Sequence, residues 1–106
     1  MSIPSEALQK LLQEIEQKAT FSQQQMGIVK AQIAAKNRES RLLQLTSSEV
    51  SSLPKDTNVY EGDRLSSETE ELKSDMSNLE KKLHYLETTY KNSRDHLEQL
   101  FSSGRV

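Results

Sequence analysis

Steps of alternately four and three residues along the first half of the chain land on Leu8, Leu12, Ile15, Ala19, Ser22, Met26, Val29, Ile33, Lys36, Ser40 and Leu43. All but Ser22, Lys36 and Ser40 are apolar. In the second half the same steps land on Leu65, Thr69, Leu72, Met76, Leu79, Leu83, Leu86, Tyr90, Ser93, Leu97 and Leu100, interrupted at Thr69 and Ser93. A repeat of 3.5 residues held over about five heptads predicts a coiled-coil seam rather than the broader face of a globular helix. The intervening positions are mostly Gln, Glu, Lys and Ser. Glu14 with Lys18 and Glu87 with Lys91 stand in the favourable (i, i+4) order, each pair worth a few tenths of a kcal/mol.

The rhythm breaks in the middle. Thr46-Ser47-Ser48-Glu49 has capping-box spacing and predicts a short capped helical turn near residues 47–52. Pro54 bars continuation of a helix and pushes Leu53 toward an extended conformation. Lys55-Asp56-Thr57-Asn58 is turn chemistry, followed by the β-favouring Val59 and Tyr60 and then Gly62. Asp63 or Ser67 is the expected cap of the second helix, Ser67 forming a further capping box with Glu70. The expected organisation is therefore one domain over 1–106. Helix 1 occupies 1–53, a linker 54–63 and helix 2 64–103, with a frayed tail at 104–106. Gly27, inside helix 1, should cost ~1 kcal/mol relative to Ala. Two seams joined by a turn predict an all-α fold: an antiparallel two-helix coiled-coil hairpin with a short, incomplete β-linker at its bend. The expected register sets Leu43 near Leu65, Ala19 near Tyr90 and Leu8 near Leu100.

Composition narrows what such a hairpin does. With 14 basic and 16 acidic residues the net charge is −2, which gives no electrostatic footprint for nucleic acid or an anionic membrane. No apolar run approaches the ~18 residues of a membrane span, and the first residues lack the pattern of a secretory signal. There is no Cys, hence no disulfide and no thiolate metal or redox site. His84 and His96 match no metal-ligand spacing and read as surface histidines. No phosphate-cradling glycine loop and no nucleophile elbow is present, so no catalytic residue, metal or cofactor is expected. A two-stranded seam leaves its flanks wet. The hairpin is therefore expected to need partners, attached at the break between the helices.

The segment Asp56-Thr57-Asn58-Val59-Tyr60-Glu61-Gly62 resembles the linker signature of β-type prefoldin subunits. Ser22-Gln23-Gln24-Gln25, Leu45-Thr46-Ser47-Ser48-Glu49 and Leu83-His84-Tyr85-Leu86-Glu87 resemble that family in order and spacing, so the likeness covers nearly the whole chain. One departure stands out. In the family the Tyr-Glu-Gly segment opens a β-hairpin, whereas here Gly62 runs into Asp63 and the next helix, and roughly 15–20 residues, the size of a turn plus strands, are absent. The resemblance implies an ATP-independent, cytoplasmic co-chaperone, one subunit of a hetero-hexamer that captures unfolded actin, tubulin and other chains and passes them to the cytosolic chaperonin. It implies client binding at the coiled-coil ends, here Ile3, Leu8, Leu11, Leu12, Leu97, Leu100 and Phe101. It also implies assembly through the linker, here Asn58, Val59, Tyr60, Glu61 and Gly62. The alternative is a structural coiled-coil adaptor in a tethering or cytoskeletal complex.

Overall fold

A computed structural model describes residues 5–102. They form two helices, α1 (Ser5–Val50) and α2 (Lys55–Ser102). No strand is present among the described residues. The all-α antiparallel hairpin expected from the seams is the fold observed. Between Ser5 and Val50 there is no proline, and strong helix formers dominate, so little besides Gly27 locally opposes a helix of 46 residues.

The chain divides into two compact units, and each helix contributes to both. The first pairs α1 up to Val29 with α2 from Lys82 onward. Its buried side chains are Leu8, Ile15, Ala19, Val29, Leu86 and Leu100, together with Ser22 and Ser93. Hydroxyls are tolerated in such a place when satisfied. The Ser93 Oγ donates to the Thr89 carbonyl at 2.9 Å, and no buried side-chain N or O among the described residues lacks a partner. The second unit is Lys30–Lys81, which contains the bend. Its buried side chains are Val50, Leu65 and Leu72, with Ile33, Lys36, Ser40, Leu43, Met76 and Leu79 half-buried. Every seam position predicted from the 3.5-residue repeat is buried or half-buried.

Extending the expected pairs would set Lys36 against Leu72 and Lys73. Lys36 Nζ meets Asp75 at 3.5 Å, one helical turn from Leu72 on the same side of α2. Successive seam layers look alike, and periodicity selects the residues of a seam without selecting their partners.

The bend is shorter than the expected linker at 54–63. It comprises residues 51–54, and α2 begins at Lys55 rather than 64. The last turn of α1 tightens: the Ser51 amide donates to the Ser47 carbonyl (3.1 Å), Ser52 to Glu49 (3.1 Å) and Leu53 to Val50 (3.0 Å). The Ser51 and Ser52 hydroxyls donate to the carbonyls of Ser48 (2.6 Å) and Glu49 (2.7 Å). These bonds engage orphan carbonyls of the helix end. Pro54 has no N–H to continue the ladder but has a φ suited to a helix start. Its carbonyl accepts the Asn58 amide at 2.8 Å, opening α2 with Asp56 in the favoured acidic first turn.

Three local expectations are corrected by this geometry. Asn58, Val59, Tyr60, Glu61 and Gly62 are helical, not β-like. A lone β-prone segment without a partner strand leaves its backbone groups unpaired, whereas a helix satisfies them internally. Thr46 caps nothing, since its hydroxyl donates to the Leu42 carbonyl at 2.9 Å and α1 continues through it. Asp63 and Ser67 lie inside α2, which therefore needs no cap there.

Two substitutions test this account. Gly27 is exposed within α1, and a Cβ added there meets nothing within 4 Å. Gly27→Ala should therefore raise the stability of the folded protein by about 1 kcal/mol in thermal melts followed by circular dichroism. An unchanged or lower melting temperature would contradict an unstrained helix at this position. Lys36 holds a seam position through an ion pair that is partly exposed and of small worth. Lys36→Met should stabilise by roughly 1 kcal/mol, and a loss of stability in the same melts would show that the ion pair outweighs apolar burial.

Candidate functional site

Exposed apolar side chains mark where such a pair of helices can touch other molecules. In the unit formed by the outer parts of the helices, the sequence-predicted end residues divide by burial. Leu8 and Leu100 are 9% and 7% exposed and close the seam. Leu11, Leu12 and Leu97 are half-buried. Phe101 is 56% exposed. Ile3 lies outside the described residues. The (i, i+4) spacing of Leu97 and Phe101 stacks them on one face of α2, where they line a depression of about 330 Å³ with Arg94 and Glu98. The end thus offers a small apolar surface beside charged neighbours. Client contact at Leu8 or Leu100 would require the helix ends to part.

The bend carries the larger set. Leu42, Leu45, Leu53, Val59 and Tyr60 are all large, apolar and more than two-fifths exposed, Tyr60 most of all at 72%. Of the linker residues named from sequence, Val59 and Tyr60 are displayed, while Asn58, Glu61 and Gly62 are half-buried. The Asn58 side-chain amide donates to the Ser51 carbonyl at 3.4 Å, tying the first turn of α2 to the end of α1. Glu61 and Glu68 accept from Arg64 at 2.8 and 3.1 Å. The hydrogen bond to Glu61, and the charges of Glu61 and Glu68 after it, push the Arg64 guanidinium pKa above its ordinary value. Sequence reasoning missed Leu42, Leu45 and Leu53 as displayed residues. The available signal was their place off the seam, with Leu42 and Leu45 three residues apart.

Other chemistry finds little support in this geometry. Among the described residues no group of three or more His, Cys, Asp or Glu side chains is arranged to hold a metal ion. His84 and His96 are both exposed. No helix among the described residues is long and apolar enough to cross a membrane.

These features define the class: a helical-hairpin interaction subunit, built around one seam and displaying apolar side chains at its bend and near its ends. The chain is 32% identical over 110 residues to the probable prefoldin subunit 1 of Schizosaccharomyces pombe, covering 91% of this chain and 98% of the relative. It is 27% identical over 113 residues to mouse prefoldin subunit 1, with 93% of each chain covered. No family model matches, and no solved structure matches significantly. The chain belongs to the prefoldin subunit 1 family. Membership implies a prefoldin co-chaperone role within a hetero-oligomer of prefoldin subunits. Both alignments exceed the 106 residues of this chain, so each relative carries residues with no counterpart here.

The contrast between neighbouring end residues is testable. Leu100→Ala should cost about 2 kcal/mol of stability, because it removes buried seam. Phe101→Ser should change stability by less than about 0.5 kcal/mol, because the ring already faces water. Urea titrations of the two variants measure both, and equal losses would contradict the burial difference.

Proposed function

We propose that the chain is an ATP-independent holding subunit. It docks through its bend into a hetero-oligomer of prefoldin subunits. It presents Ile3, Leu11, Leu12, Leu97 and Phe101, with Leu8 and Leu100 once the ends part, to non-native polypeptides such as actin and tubulin. Clients then pass to the cytosolic chaperonin, which sets the site of action in the cytoplasm. No cofactor is needed, because capture rests on apolar contact alone.

The observation that carries this reading is the exposed Phe101 stacked with Leu97 near the end of α2, in a chain of the prefoldin subunit 1 family. A small apolar surface grips weakly and without sequence preference, as a holding factor must, since tight binding would trap its client. The display of Leu42, Leu45, Leu53, Val59 and Tyr60 supports the docking role of the bend. Water-exposed leucine and tyrosine in such number are costly unless a neighbour covers them.

The test uses the hetero-oligomer reconstituted with the other prefoldin subunits. Light scattering of denatured actin should be suppressed by the wild-type complex. Suppression should fall severalfold with the combined substitutions Leu11→Ser, Leu97→Ser and Phe101→Ser, while native mass shows the complex intact. If the assembled complex leaves actin to precipitate, or the substitutions change nothing, the holding role of these ends fails and a purely structural adaptor takes its place.

A further inference from the structure

One flank of the Lys30–Lys81 unit contains a groove of about 410 Å³ between α1 and α2. Leu42, Leu43 and Leu72 supply its apolar lining. Glu39, Glu68, Glu71 and Asp75 stand around them, with Lys36 and Thr46 completing the walls. The residues on α1 follow one another at spacings of three and four beside the seam, as do those on α2. The groove therefore runs along the helix axes, and from residue 36 to residue 46 it extends about 15 Å, close to three helical turns.

Its charge is unbalanced. Lys36 Nζ is shared between Glu39 (3.6 Å) and Asp75 (3.5 Å). Arg64 is shared between Glu61 (2.8 Å) and Glu68 (3.1 Å). The groove's own lining thus sets four carboxylates, Glu39, Glu68, Asp75 and the exposed Glu71, against one cation, Lys36, while Arg64 and Glu61 lie outside it. Arg38, Arg41 and Lys73 are exposed but do not line the groove. Leu42, 63% exposed, leaves apolar surface open beside these carboxylates.

We propose that this flank seats a third helix: an amphipathic segment of a partner protein, with leucine-type side chains against Leu42, Leu43 and Leu72 and lysine or arginine against the surrounding carboxylates. The groove between two helices is the natural seat for a third, whose apolar stripe supplies affinity while flanking charges choose the partner. Charge complementarity selects a basic occupant. A second copy of this flank would bring like charges together, and anionic lipid or nucleic acid would be repelled. The proposal does not depend on client holding by the other unit, and its test leaves Leu11, Leu97 and Phe101 untouched.

The full 106-residue chain is titrated against a fluorescent, stapled peptide of about three turns, with leucines along one face and lysines flanking them. A peptide with glutamates in place of the lysines is the control. The lysine peptide should bind saturably with a Kd on the order of 10–100 μM, and the glutamate peptide at least about tenfold more weakly. Glu71→Lys and Leu42→Ala should each weaken the lysine peptide by about fivefold or more, and raising the salt to about 0.5 M should do the same. Both substituted residues are exposed, so helix content by circular dichroism should be unchanged. If neither peptide saturates, if the two bind alike, or if Glu71→Lys leaves the affinity intact, the flank is not a seat for a basic helix.

Discussion

Two helices facing each other can shield only one stripe of side chains from water. That limit governs this molecule. The stripe repeats every 3.5 residues, is buried or half-buried throughout, and leaves most other positions wet. Among the described residues the buried side chains all belong to this stripe except Val50 near the bend. What remains for function is surface: the ends, the flanks and the bend. The substitutions that interrupt the stripe are graded by the same limit. Ser22 and Ser93 are small enough to be closed over, while Lys36 stays half-buried and carries its charge out to Asp75.

The seam was legible because its signal is redundant. Each heptad repeats it, so three polar positions in the first helix do not erase it. The bend was not legible, because its signals conflict. Pro54 reads as a terminator in either account, but the same residue also opens a helix, and here it does both within one turn. Thr46 with Glu49 and Ser67 with Glu70 have capping-box spacing, yet each sits where a longer-range seam holds the helix through it. Val59 and Tyr60 have β propensity that goes unused, since propensity in a strand is largely the packing of a neighbour that this chain does not supply. Periodicity also said nothing about register. The Lys36–Asp75 contact depends on the direction and length of two particular side chains, not on a repeat.

The candidate sites were legible to an unequal degree. Leu11 and Phe101 stood out as apolar residues off the repeat, and Phe101 is indeed displayed. Leu8 and Leu100 belong to the repeat, and their burial follows from that membership. At the bend the sequence directed attention to residues 58–62, but the exposed leucines at 42, 45 and 53 contribute at least as much apolar surface. They were obscured because leucine in a leucine-rich coiled coil looks like core until its phase is checked.

The all-helical bend has a consequence for how a neighbour can be recruited there. The carbonyls from Ser47 to Ser51 each accept a hydrogen bond from within the chain, and the first turn of α2 begins on the carbonyl of Pro54. No open sheet edge is left for another polypeptide to extend. A partner meeting this conformation would find exposed leucine and tyrosine side chains rather than an unpaired strand. Such a contact would draw its affinity from side-chain burial, whereas edge-to-edge pairing draws much of its affinity from main-chain hydrogen bonds.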